Sequence, residues 1–158
     1  MKRLLYLFLL AAAGALVVRT YVMEGIYIAS DSMKPTLKTN DHLFVNTMIF
    51  LFREPARGEI VVVKSPDNKR FVKRIIAIGG DVLEIKDKDV YLNMTKLEEP
   101  YVIHTRKDER LVDDNYGPVT VPEGHFFVMG DNRDSSDDSR NWASPFLARK
   151  DITGKVLK

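Results

Sequence analysis

Arg70-Phe71-Val72-Lys73-Arg74-Ile75-Ile76-Ala77-Ile78 is the stretch that decides the fold. Laid out as a strand, Phe71, Lys73 and Ile75 share one face, while Val72, Arg74 and Ile76 share the other. A basic side chain therefore sits among apolar neighbours whichever face turns inward. Two readings follow: an edge strand guarded by lysine and arginine, or a lysine deliberately held away from water. Similar runs rich in β-branched and aromatic residues recur at Glu59 to Lys64, Val82 to Lys86, Val90 to Asn93, Val119 to Val121 and His125 to Met129. Asp87-Lys88 reads as a hairpin turn between two of them. Pro55, Pro66, Pro100, Pro118 and Pro122 are expected between the runs, because proline cannot donate to a sheet ladder. No long amphipathic helical pattern follows Met23. The expectation is a mainly β protein, an antiparallel β-sandwich or partly closed barrel. Lys86 to Gly117 is more charged than its flanks and is expected to form a small inserted β subdomain at about residues 86–117.

The N-terminus obeys a different rule. Leu4 to Val18 carries no charged or strongly polar side chain, and Leu4 to Met23 matches the ~20 residues that a spanning helix needs. Arg19 lies near its far end, where a long basic side chain can reach the interface. Lys2 and Arg3 precede the run, so the N-terminus is expected on the cytoplasmic side. Residues 1–23 are read as a single-span anchor in the cell membrane, and residues 24–158 as an extracytoplasmic β-domain. A cleavable secretory signal, with small residues at Ala11-Ala12-Ala13 or Ala13-Gly14-Ala15, is the alternative and has the same topology.

Composition narrows the function. The 158 residues are 45% hydrophobic and 29% charged, which suits one folded unit rather than a disordered tail. The net charge of +2 argues against a nucleic-acid partner. The absence of cysteine excludes disulfides, thiol catalysis and cysteine-bound metal.

Three stretches carry chemistry. Ser30 to Leu37 places hydroxyls just beyond the anchor. Lys73 works as a general base only when neutral, and bringing it from ~10.4 to about 7–8 requires roughly 4 kcal/mol of destabilisation of the ammonium. Burial against phenylalanine and isoleucine has the right sign and size. Gly130 to Arg140 interleaves aspartates and arginines with serines, and follows the apolar run Phe126 to Met129. It lacks the ligand alternation and central glycine of a calcium loop, and reads as an ion-paired scaffold. His42, His104 and His125 leave a Ser-His-Asp triad open, because triads assemble in space.

In this order, the stretches resemble the signature boxes of type I signal peptidases. The matching segments are Ser30 to Leu37, Arg57 to Val63, Phe71 to Asp81, and Val121 to Met129 leading into Gly130 to Arg140. The resemblance implies Ser32 as nucleophile and Lys73 as base. Ser30 would join the Ser32 N–H in an oxyanion hole, and Ser136 would orient the lysine. Asp138 and Arg140 would support the site as an ion pair, with Asp131 and Arg133 bracing the loop. It implies no cofactor and no metal. The partners implied are signal-peptide-bearing preproteins and the lipid bilayer. Asp31, Glu59 and the turn Ala77 to Asp81 depart from the family pattern, which places a negative charge beside the oxyanion hole and implies a looser turn. A specialised maturation peptidase of the same superfamily and a catalytically inactive tethered binding module remain as alternatives.

Overall fold

The computed structural model describes residues 2–21, 23–109 and 111–157, with residues 16–21 described by their backbone alone. One helix, α1 (Lys2–Tyr21), precedes eleven strands. These are β1 (Met23–Tyr27), β2 (His42–Asn46), β3 (Ile60–Lys64), β4 (Arg70–Ile78), β5 (Val82–Lys86), β6 (Asp89–Leu92), β7 (Thr95–Lys96), β8 (Tyr116–Thr120), β9 (His125–Met129), β10 (Leu147–Ala148) and β11 (Ile152–Leu157). They form a curled seven-stranded antiparallel sheet, β1-β2-β11-β3-β4-β9-β10, and a four-stranded antiparallel sheet, β7-β6-β5-β8.

The helix α1 falls inside the expected 1–23. Its large apolar side chains from Leu4 to Leu10 are exposed on every side. Among the described residues no helix is long and apolar enough to cross a membrane. Arg19, expected at the interface, lies outside the described side chains.

Strand β4 has the bounds read from the sequence, but it is not an edge. It pairs with β3 on one side (Val61 opposite Lys73) and β9 on the other (Arg74 opposite Met129). The guarded-edge reading of Lys73 and Arg74 is therefore wrong. A register shift between Ile75 and Ala77 breaks the simple alternation. Ile76 and Ala77 consequently both pack toward the smaller sheet, with Leu83, Val90, Phe127 and Met129. Ile75 packs on the opposite side with Val61, Val63 and Val128.

Asp87 and Lys88 turn the β5–β6 hairpin with φ of 46° and 75°, the doubly positive conformation a two-residue loop needs. Asn93 and Met94 do the same between β6 and β7. Pro118 departs from expectation, since it lies within β8. This strand is an edge, and the pairing skips from Leu83–Val119 to Ile85–Tyr116, so the proline sits in a bulge where no ladder donor is required. Trp142, partly buried, packs against the second apolar cluster with its ring 5.8 Å from that of Phe71. The apolar stretch Met48 to Phe52 is split: Phe50 is buried, whereas Leu51 and Phe52 are 72% and 82% exposed.

A third apolar cluster positions the site. Met33 and Leu37 are buried with Ile28, Val45, Val62 and Val156. The Leu37 N–H donates to the Met33 carbonyl at 2.8 Å, so one turn of chain presents both side chains to the core. Each is worth roughly 2 kcal/mol of burial, which pins the serine-bearing loop to the sheet.

Candidate active site

Lys73 is 1% exposed. Its position inside β4 points it into the layer of Phe71, Val61 and Ile75, and its ammonium lies 5.4 Å from the centre of the Phe71 ring. Burial pushes its pKa down to about 8, against the upward pull of the Asp138 and Asp137 charges. Desolvation thus outweighs two carboxylates. The amine Nζ is hydrogen-bonded to Ser136 Oγ at 2.8 Å.

Ser32 approaches from the loop after β1. Its Oγ and that of Ser30 share a hydrogen bond of 3.1 Å. Among the described residues no hydrogen bond joins Lys73 to Ser32. Both are held against the same element, the loop that follows β9. Asn132 N–H donates to the Ser32 carbonyl at 3.0 Å. A Cβ at Gly130 would overlap both the Ser32 carbonyl oxygen and the Ser136 hydroxyl, so this position needs glycine for the two segments to close.

The Gly130 to Arg140 loop is cross-braced by charge. Asp138, fully buried, receives Arg140 in a two-pronged pair at 2.9 and 3.0 Å and accepts the Gly130 N–H at 3.0 Å. Burial raises the Asp138 pKa, but the Arg140 guanidinium overcomes this and holds the carboxyl below its usual range. Arg140 also pairs with Asp113 at 3.1 Å and donates to the Arg133 carbonyl. Asp131 receives Arg74 at 2.8 and 2.6 Å and also accepts the Thr36 hydroxyl. The residue beside Lys73 is thereby tied to the serine loop. Arg133 reaches Glu99 at 2.9 and 2.6 Å and donates to the Gly130 carbonyl.

Ser30, Ser32, Lys73, Ser136, Asp131, Arg133, Asp138 and Arg140 therefore converge on one region. Sequence reasoning missed Arg74, Gly130, Asn132, Thr36, Glu99 and Tyr101, the last stacked on Arg74 at 3.8 Å. Arg74, Gly130, Asn132 and Thr36 lay inside the matched segments and could have been found there. Glu99 and Tyr101 had no local signal.

Among the described residues no histidine is hydrogen-bonded to a serine hydroxyl. His42 packs on the Tyr27 ring, His104 meets Asp134 at 3.1 Å, and His125 meets the Glu123 carbonyl at 2.9 Å. The departures are absorbed too. Asp31 is exposed and pairs with Lys34 at 2.9 Å and with the Thr39 hydroxyl, so its charge faces solvent. In the Ala77 to Asp81 turn, Asp81 accepts the Ile78 N–H at 2.9 Å and pairs with Arg57. Glu59 is opposed by burial, yet Arg53 and Lys155 hold it at about 2.

A groove of about 470 Å³ opens beside Ser32, between β1 and the faces of β3 and β4. Ile28, Met33, Val62, Phe71 and Val72 contribute its apolar wall. A hydroxyl beside an apolar groove, held against the same loop as a buried amine of lowered pKa, is a set of groups suited to nucleophilic acyl transfer.

The model of the signal peptidase family, peptidase S26, matches residues 1–157. Signal peptidase I S of Bacillus subtilis (strain 168) is 39% identical over 150 residues, which cover 92% of this chain and 80% of that protein. Signal peptidase I of Bacillus licheniformis is 40% identical over 138 residues, covering 84% and 74%. A crystal structure of a signal peptidase I from Enterococcus faecalis V583 superposes with a TM-score of 0.53 at 34% identity, covering 67% of this chain and 98% of that one. With a buried lysine and a hydroxyl pair already gathered at the end of β9, these matches make the chain a member of the signal peptidase family, peptidase S26.

Proposed function

We propose that this chain is a membrane-anchored serine endopeptidase that removes signal peptides from exported preproteins, with Ser32 as nucleophile and Lys73 as general base. The observation that carries the reading is a buried lysine with a pKa of about 8, oriented by Ser136 next to the Ser30–Ser32 loop. A neutral amine that donates to Ser136 keeps its lone pair free for the Ser32 proton. As that proton moves to Nζ, Ser32 Oγ bonds to the scissile carbonyl carbon. The oxyanion is met by the Ser32 N–H and the Ser30 hydroxyl, one good donor being worth about 3–4 kcal/mol. The lysine then gives its proton to the leaving amine, releasing the mature protein. The same base next activates water, which hydrolyses the acyl-enzyme and frees the signal peptide. The mechanism requires Ser32 and Lys73 to be within hydrogen-bond distance when substrate is bound. The family resemblance implies small side chains at the first and third positions before the cut, with the groove as the place that would hold them.

Residues 1–23 serve as the anchor and residues 24–158 as the catalytic β-domain, with an inserted β subdomain at about residues 86–117. The exposure of Leu4 to Leu10 all round α1 supports the anchor, because such a surface demands an apolar surrounding. Lys2 and Arg3 favour a cytoplasmic N-terminus. The four-stranded sheet supports the insert, and the two sheets facing across Phe127 support the sandwich reading.

Two outcomes follow. Cleavage of a detergent-solubilised preprotein rises with pH through an apparent pKa of about 8 in kcat/KM, because only the neutral amine is a base. A flat profile between pH 6 and 10 overturns the assignment of Lys73. The full chain also stays with phospholipid vesicles through an alkaline carbonate wash. Leu7→Glu combined with Leu10→Glu releases it, each charge costing roughly 2.5–3.5 kcal/mol at mid-span. Release of the unaltered chain refutes the anchor.

A further inference from the structure

Resting on the proposed role of Ser32, we infer that Asn132 is a positioning residue for the oxyanion hole, acting on the peptide unit that carries the Ser32 N–H. That unit is formed by the Asp31 carbonyl and the Ser32 amide. The Asn132 side chain donates Nδ2–H to the Asp31 carbonyl oxygen at 3.2 Å. The Lys34 N–H donates to the same oxygen at 3.1 Å, so both of its lone pairs are engaged. The backbone N–H of Asn132 holds the next carbonyl, that of Ser32, at 3.0 Å. One residue therefore grips the carbonyls on both sides of Ser32.

This arrangement has an electronic and a geometric consequence. A peptide whose carbonyl accepts hydrogen bonds becomes more polarised, and its N–H becomes a better donor. A plane held at its carbonyl end also cannot rotate its N–H away from the developing oxyanion. Donors that are already aimed need no reorganisation when charge appears. Asn132 is itself held in place. It is 3% exposed, its amide oxygen accepts the Thr105 hydroxyl at 3.5 Å, and its backbone bridges Ile103. The amide therefore acts from a fixed platform, without touching substrate.

The role predicts an effect confined to the transition state. Asn132→Ala should lower kcat about 10–100-fold, less than loss of an oxyanion donor outright, which costs roughly 100–1,000-fold. KM should stay within about twofold, since ground-state binding does not use the oxyanion donors. The midpoint of the pH profile should stay where the unaltered enzyme has it, because Lys73 is untouched. Asn132→Asp should fall further, since its carboxylate oxygen replaces a donor and opposes the Asp31 carbonyl. A signal-peptide fragment ending in an aldehyde, which forms a tetrahedral adduct with the serine, should lose affinity in step with kcat. The same fragment ending in a carboxamide should bind as before. Thermal unfolding identifies any variant that has not folded, and Asn132→Ser then serves as the milder substitution. The proposal is overturned if folded Asn132→Ala keeps its kcat, or if its loss lies in KM or in a displaced pH midpoint. Ser32→Ala, run in parallel, separates the two questions: an active Ser32→Ala enzyme refutes the nucleophile assignment itself.

Discussion

Ser32→Ala and Lys73→Ala each reduce preprotein cleavage by roughly 10⁴-fold or more, and the double variant is no slower than the worse single one. In the proposed mechanism the Ser32 hydroxyl carries the acyl group, so its loss leaves no atom to do so. In the same mechanism the hydroxyl stays a poor nucleophile unless the Lys73 amine takes its proton. Members of such a unit are strongly non-additive, because losing either one removes the same step. Neither change should unfold the protein. Ser32 contributes one hydroxyl to a loop pinned by Met33 and Leu37. Replacing Lys73 removes a buried cation whose charged form burial disfavours. Lys73→Ala leaves a cavity, so Lys73→Met, which fills the same space, is the control for packing. Cleavage assayed over hours in detergent resolves the expected range. Wild-type rates in either variant refute the dyad.

Asp138→Ala is expected to lower stability by about 3–5 kcal/mol, read from chemical denaturation, and to abolish cleavage as well. The carboxylate is completely buried and answers the Arg140 guanidinium and the Gly130 N–H together. Removing it leaves a buried arginine with its two-pronged partner gone. It also frees the segment that must pass within van der Waals contact of Ser32 and Ser136. The pH dependence has a definite sign. A carboxyl whose folded pKa lies below the ordinary 3.8 stabilises the protein above that value, and the contribution is lost as pH falls through the folded pKa. The unaltered protein should therefore lose stability below about pH 4 more steeply than Asp138→Asn. Unchanged denaturation midpoints in both variants refute the bracing role.

Strands with a dense run of β-branched, aromatic or other apolar residues, β3, β4, β5 and β9, were legible because each satisfies its own pattern locally. Strands β1, β2 and β11 were not. Gly25, His42 and Lys155 dilute their patterns, and what makes them strands is pairing across long separations, such as Val45 with Val156. The site divides in the same way. Ser32, Lys73, Ser136, Asp138 and Arg140 stood in motifs whose order pointed to one reaction. The partners of Asp131 and Arg133 came from elsewhere in the chain, Arg74 on β4 and Glu99 in the excursion between β7 and β8.

The amino-acid order by itself determined which residue types were on hand and which strand bore the lysine, since side-chain alternation along a strand is a local rule. Only the folded chain decided that β4 lies between two neighbours rather than at an edge. That placement withdraws water from the amine, and desolvation depends on everything packed around a group, not on its neighbours along the chain.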